Sequence, residues 1–227
     1  MASAALDPAR ARGVLLRAVA VLTVLTVVAR VAQELAPDSV TANALHFFDA
    51  TFEQSVPTVF STLLLLACAA LVAGIAAGAA RHRTRWWLLA GVLAFLALDE
   101  AVGFHEASVP PLRRLLDADG LLYFTWVVPA ALFVAALVPA FRPLLTGLEP
   151  HQRRAVVAGA AMFFGGALGL ELVEGWMTQD RGEDYAGLIP VATAQECLEM
   201  IGAVLVAYAL ADRLAPWQGT LRMARGG

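Results

Sequence analysis

The sequence predicts an all-α fold: a polytopic transmembrane bundle of about six helices with both termini in the cytoplasm. Three observations carry this. The 227 residues are 59% hydrophobic and only 15% charged, with a mean hydropathy of +0.70, where soluble domains carry roughly 25% charge. Several apolar runs approach the roughly 20 residues that cross a bilayer. All 16 basic residues are Arg, and they gather in alternate inter-helix segments. Residues 1–227 form a single transmembrane domain, with no soluble module and no long-period repeat.

The first span is expected at 13–35. Arg10, Arg12 and Arg17 lead into an apolar core as in a signal peptide. Arg30, Gln33 and Glu34, however, stand where a small-residue cleavage site would fall, so the helix is retained. The second span, 56–80, opens with Pro57 in its first turn. The third covers 86–105, the fourth 120–141, the fifth 154–176 and the sixth 189–211. Trp86, Trp87 and Trp176 suit interfacial positions, as do Tyr123, Trp126 and Tyr185. Gly165, Gly166 and Gly169 suit close helix packing. Cys68 and Cys197 sit in apolar runs as small buried hydrophobes, and His46, His82 and His151 belong to solvated loops.

Cytoplasmic loops are enriched in basic residues. Arg10, Arg12, Arg81, Arg83, Arg85, Arg142, Arg153, Arg154, Arg213, Arg222 and Arg225 share one side of the six-span arrangement. That side is the expected cytoplasm of a bacterial inner membrane. The other side keeps Arg30, Arg113, Arg114 and Arg181. Of the 19 acids, only Asp7, Glu149 and Asp212 lie on the arginine-rich side.

The acids include groups inside the helices. "LALDEAVGFHEASVPP", residues 96–111, carries Asp99, Glu100, His105 and Glu106. At 1.5 Å per residue from Trp86, Asp99 lies roughly 20 Å along the third span and His105 near about 29 Å. "GLELVEGW" places Glu171 and Glu174 at a similar depth, and "QECLEM" places Glu196 and Glu199 there. Each of these pairs has i, i+3 spacing and points from one helix face. "FFDATFEQSVPTVFS" adds Asp49 and Glu53 at i, i+4.

Buried ionised carboxylates cost roughly 2.5–3.5 kcal/mol each even on lenient insertion scales, and together they repel. Cations, protons or Arg partners offset this, and Arg30 alone lies near enough. Metal binding or shared protons are what remain; the metal reading takes a divalent ion from Fe, Mn, Zn, Mg or Ca, since carboxylates with an imidazole suit such ions. Its candidate ligands are Asp99, Glu100, His105, Glu106, Glu171, Glu174, Glu196, Glu199, Asp49 and Glu53. His105 is the nitrogen donor, and one carboxylate is left as general base. Di-metal bundles use two Glu-x-x-His elements; here Glu-x-x-Glu occurs twice, with one well-placed His.

The expected function is a metal site facing the periplasm or exterior, serving an enzyme on a lipid-like substrate that enters from the bilayer. The alternatives are a proton- or cation-coupled transporter and a structural or partner-binding membrane subunit. No Gly-rich phosphate loop, Cys-x-x-Cys pair or nucleophile elbow is present. No nucleic-acid partner is expected.

Three motifs resemble an uncharacterised family of bacterial six-helix integral membrane proteins. They are "FFDATFEQSVPTVFS", "LDEAVGFHE" and "QECLEMIG", and the resemblance spans residues 48–208. It implies the architecture and no activity. Gln195 stands where the pattern has an acid, and Val59 where it has Trp. The first departure removes one possible ligand.

Overall fold

The computed structural model describes residues 7–225 except 53, 183 and 184, with side chains as far as residue 215. All regular structure among the described residues is helical. Helix α1, Pro8–Leu35, starts where the Asp7 side chain accepts from the Ala9 N–H and Pro8 opens the first turn. A short α2, Val40–Leu45, is capped by Ser39. Helix α3, Val56–Gly78, is capped by Ser55 and starts with Pro57 in its first turn. Helix α4, Arg83–Val102, ends at Gly103, whose φ of 67° is the left-handed conformation that glycine tolerates. Helix α5, Phe104–Leu116, follows at once. Helix α6 covers Val127–Leu145. Helix α7, Pro150–Phe164, passes through a π turn, Gly165–Leu170, into α8, Glu171–Arg181. Helix α9 is Leu188–Arg225.

Among the described residues, four helical rods are long and apolar enough to cross a membrane: Pro8–Leu35, Val56–Gly78, Val127–Leu145 and Pro150–Arg181. Counting α4 and α5 as one span makes five, but the two are bent by 80°. The expected third span, 86–105, is therefore broken at Gly103, and His105 belongs to a new helix. The expected fourth span, 120–141, begins only at Val127, because a 3-10 turn at Gly120–Leu122 precedes it. The fifth is longer than expected at both ends. Glu149 and Gln152 form a capping box at its start, and Gly182, φ 88°, ends it.

Helix α9 is the centre of the packing and touches α1, α3 and α7. Val19, Leu65, Cys68, Val72, Met200 and Val204 belong to the shared core. Burial on α9 is deep because α7 comes very close. A Cβ on Gly202 would lie 2.5 Å from the Gly159 carbonyl oxygen and 2.7 Å from the Phe163 nitrogen. Gly166 makes a similar approach, 2.9 Å from Gln195 O, whereas Gly165 and Gly169 face open space. Of the three glycines expected to pack, only Gly166 does so. The tightest crossing uses Gly159 and Gly202.

The bundle has two chemically distinct ends. At one, Arg12 lies 4.5 Å over the Tyr208 ring, His151 bonds Asp212 at 2.8 Å, and Arg213 donates to Gly147 O. Trp86 is buried there at 4% exposure, with Arg213 5.6 Å from its ring centre. Trp87 and Trp176 are exposed. The acids of α4, α5 and α8 gather at the opposite end.

The glycine crossing makes a sharp contrast. Gly202→Leu is expected to lower stability by about 1–3 kcal/mol through overpacking. Gly165→Ala is expected to be neutral or to gain up to about 1 kcal/mol. Reversible unfolding of both variants in one detergent, followed by circular dichroism, checks this.

Candidate functional site

The bend at Gly103 creates the site. Asp99 sits in the last turn of α4, and its two carboxylate oxygens reach across the bend. Oδ1 accepts the His105 backbone N–H at 3.1 Å, and Oδ2 bonds the His105 ring Nδ1 at 2.9 Å. The first N–H groups of a helix have no partner within it. Gly103 has no side chain to cap α5, and Asp99 supplies the cap from the preceding helix. One carboxylate thus fixes both the start of α5 and the pose of the imidazole.

The His105 ring then meets Trp126, centre to centre 4.7 Å. Trp126 Nε1 donates to Glu171 Oε1 at 2.9 Å, and Gln195 Nε2 donates to Glu171 Oε2 at 3.1 Å. The chain Asp99–His105–Trp126–Glu171–Gln195 links α4, α5, the residue before α6, α8 and α9. Trp126 is placed from both sides. Thr125, fully buried, donates to Val109 O of α5. Gly175 of α8 packs against Tyr123.

A cavity of about 120 Å³ lies against this chain. Asp99, Glu100, His105, Glu106, Glu196 and Glu199 all line it, with Trp126 and Gln195. Six of the ten expected site residues therefore share one space, drawn from α4, α5 and α9. Glu171 is bonded to its wall. Glu174 lies one turn further along α8, with a buried Oε1 that has no hydrogen-bond partner among the described residues. Asp49 is engaged elsewhere. It is 1% exposed, lies 3.5 Å from Arg30, and accepts from Thr51 N and Oγ1 at 3.0 and 2.7 Å. It ties α1 to the segment before α3. Glu53 lies outside the described residues.

The donors have the chemistry of a metal site, but among the described residues no three of His, Cys, Asp or Glu form a group that could hold one ion. His46 bonds Gln33 at 2.9 Å and packs against the Phe52 ring, centre to centre 4.2 Å with the planes tilted by 47°. Cys68 is buried, and its Sγ lies 3.8 Å from Ala203 O. Cys197 is half-buried.

Two residues of this hydrogen-bonded chain are not evident from the sequence. Trp126 looked like an interface anchor, and Gln195 looked like a lost ligand. Both donate to Glu171. A signal existed: a Trp N–H or Gln amide at membrane depth needs an internal partner, and Gln195 is i, i+4 from Glu199.

Beside the polar cavity lies a larger one of about 450 Å³. Leu96, Val134, Phe163 and Phe164 line both. The rest of its lining is hydrocarbon, such as Leu65, Leu93, Leu137 and Val206, with Arg142 and Trp86 at the arginine end.

A family model matches residues 15–213, and its description is Domain of unknown function (DUF8692). The chain belongs to that family. No curated protein and no solved structure matches it.

Arg30→Met leaves the buried Asp49 without its counter-charge. It is expected to destabilise by about 3 kcal/mol, the lower end for a broken buried pair because Thr51 remains. Adding Asp49→Asn should recover part of that loss in the same unfolding assay. Trp126→Phe removes one donor from Glu171, with an expected loss of about 1–3 kcal/mol. Adding Gln195→Ala should deepen the loss more than the two separate effects predict, since both serve one carboxylate; a double-mutant cycle measures the coupling.

Proposed function

We propose that this chain is a six-span bacterial inner-membrane protein with both termini in the cytoplasm. Its carboxylate cavity faces the periplasm or exterior, binds a divalent cation and acts on a lipid-like substrate. The single observation that carries this reading is the Asp99–His105 pair on the wall of that cavity. A carboxylate on Nδ1 fixes the imidazole tautomer and leaves the lone pair on Nε2. Metal-ligating and general-base imidazoles are both arranged in this way.

In this reading His105 is the nitrogen ligand and Asp99 supports it from behind. Glu100, Glu106, Glu196 and Glu199 are the oxygen donors, since they line the same space. Their side chains must converge to hold an ion. One nitrogen with several oxygens suits Mn, Fe or Zn. The six spans are the four apolar rods, α4, and the 189–211 run of α9. The arginines clustered at one end support the orientation through the positive-inside rule.

The lining favours this reading over coupled transport. An ion crossing the bilayer needs polar groups along its path. Below Glu199 the neighbouring space is walled by Leu, Val and Phe side chains as far as Arg142. A hydrocarbon chain suits such a space and a hydrated ion does not.

Elemental analysis tests the metal. The parent, purified in mild detergent without chelators, is expected to carry about one or two divalent ions per chain, the range of carboxylate–imidazole bundle sites. A folded Glu100→Gln/His105→Ala variant is expected to carry none. Metal in neither protein removes the metal from this reading and leaves an acid–base cavity whose carboxylates share protons.

A further inference from the structure

The apolar cavity owes its existence to the way α6 is held. Only Val127 and Leu144 are buried on this helix. They stand near its two ends, and Leu132, Phe133 and Val138 between them are exposed. Helix α6 is a pillar pinned top and bottom with a gap behind its middle. Opposite the gap stands α4, whose lining residues run from Trp86 to Leu96, about 15 Å at helical rise. The volume of about 450 Å³ falls within the range of about 300–1,000 Å³ typical of small-molecule sites.

The two ends of this space differ in charge. At Leu96, Val134, Phe163 and Phe164 it adjoins the polar cavity, where Asp99, Glu100, Glu106, Glu196 and Glu199 outnumber the single His105. At the far end stands Arg142. A cationic head is attracted to the first end and repelled from the second.

We infer that the apolar cavity holds the single hydrocarbon tail of an amphiphile with an amine head. The head lies in the carboxylate cavity and the tail points toward Trp86 and Arg142. The molecule enters from the bilayer past the middle of α6. This names the substrate class of the proposed site and rests on the lipid-like reading given above. An anionic amphiphile is the competing occupant; its head would seek Arg142 and its tail would point the other way.

Two tryptophans mark the two ends, Trp126 in the polar cavity and Trp86 in the apolar one. Trp86 is 4% exposed, so little of its ring lies on the outside of the bundle. The test uses the full chain with Trp87→Phe, Trp176→Phe and Trp217→Phe, which leaves Trp86 and Trp126 as emitters. Adding Trp86→Phe assigns the signals. The probe is 12-bromododecylamine, whose bromine quenches indole emission at the tail end. The expected result is saturable quenching of Trp86, displaced by unbrominated dodecylamine, with Trp126 spared. Ala160→Phe, which fills the cavity wall, should weaken that binding about tenfold or more, equivalent to roughly 1.4 kcal/mol, while the parent measurement stands whether or not this variant folds.

Quenching of Trp126 in place of Trp86 reverses the orientation and overturns the inference. So does quenching that dodecylamine cannot displace, which is bulk partitioning. No quenching of either tryptophan, whether the space closes or another protein fills it, also overturns it. The measurement is repeated on metal-free protein. Quenching that persists without any metal keeps the tail site and removes only the metal, and metal-loaded protein without quenching does the reverse.

Discussion

A carboxylate packed among apolar helices gives up much of its hydration, so donors from the protein have to replace it. The rest of this architecture follows from that constraint. Asp99 takes a backbone N–H and a ring nitrogen from α5. Glu171 takes an indole N–H and an amide from opposite sides. Asp49 takes a guanidinium and a threonine. Each of these bonds joins different elements, except for Thr51, which lies close to Asp49 in the chain. The polar groups that are hardest to bury are therefore the ones that fasten the acidic end together.

The same bonds explain the sharp bend between α4 and α5. A helix that continued straight beyond Val102 would carry Asp99 and His105 along one axis, with no reason for the acid to meet the N–H of residue 105. Gly103 permits the left-handed turn, and Asp99 satisfies the donors that the new helix start exposes. The bend and the paired imidazole are one event. An apolar residue at position 99 would leave the turn allowed but unsupported.

Much of this was legible in the sequence. Apolar runs point to the main helices, and the motif "LDEAVGFHE" holds four residues that do line one cavity. What stayed hidden has physical causes. Helical rise alone could not reveal that Gly103 breaks the third span, because glycine is common within membrane helices. Asp49 fits an acidic site by type, and only the fold shows that Arg30 claims it. Gly165 and Gly169 look like packing glycines by spacing, but which face meets α9 depends on the π turn they belong to. Trp126 and Gln195 matter through what they donate to, and a partner 45 or 24 residues away cannot be read locally.

That π turn, Gly165–Leu170, has a further consequence. A π turn carries one residue more than the α turn it replaces, and one residue is worth about 100° of rotation. The turn therefore works as a phase shifter within a single rod. Before it, Gly159 keys the rod to α9; after it, Glu171 faces Trp126 and Gln195. The two halves keep separate angular settings, one serving assembly and one serving the cavity. The number of residues between 159 and 171 thus sets the angle between the two halves, while Gly166, inside the turn, must stay small where it meets the Gln195 carbonyl oxygen.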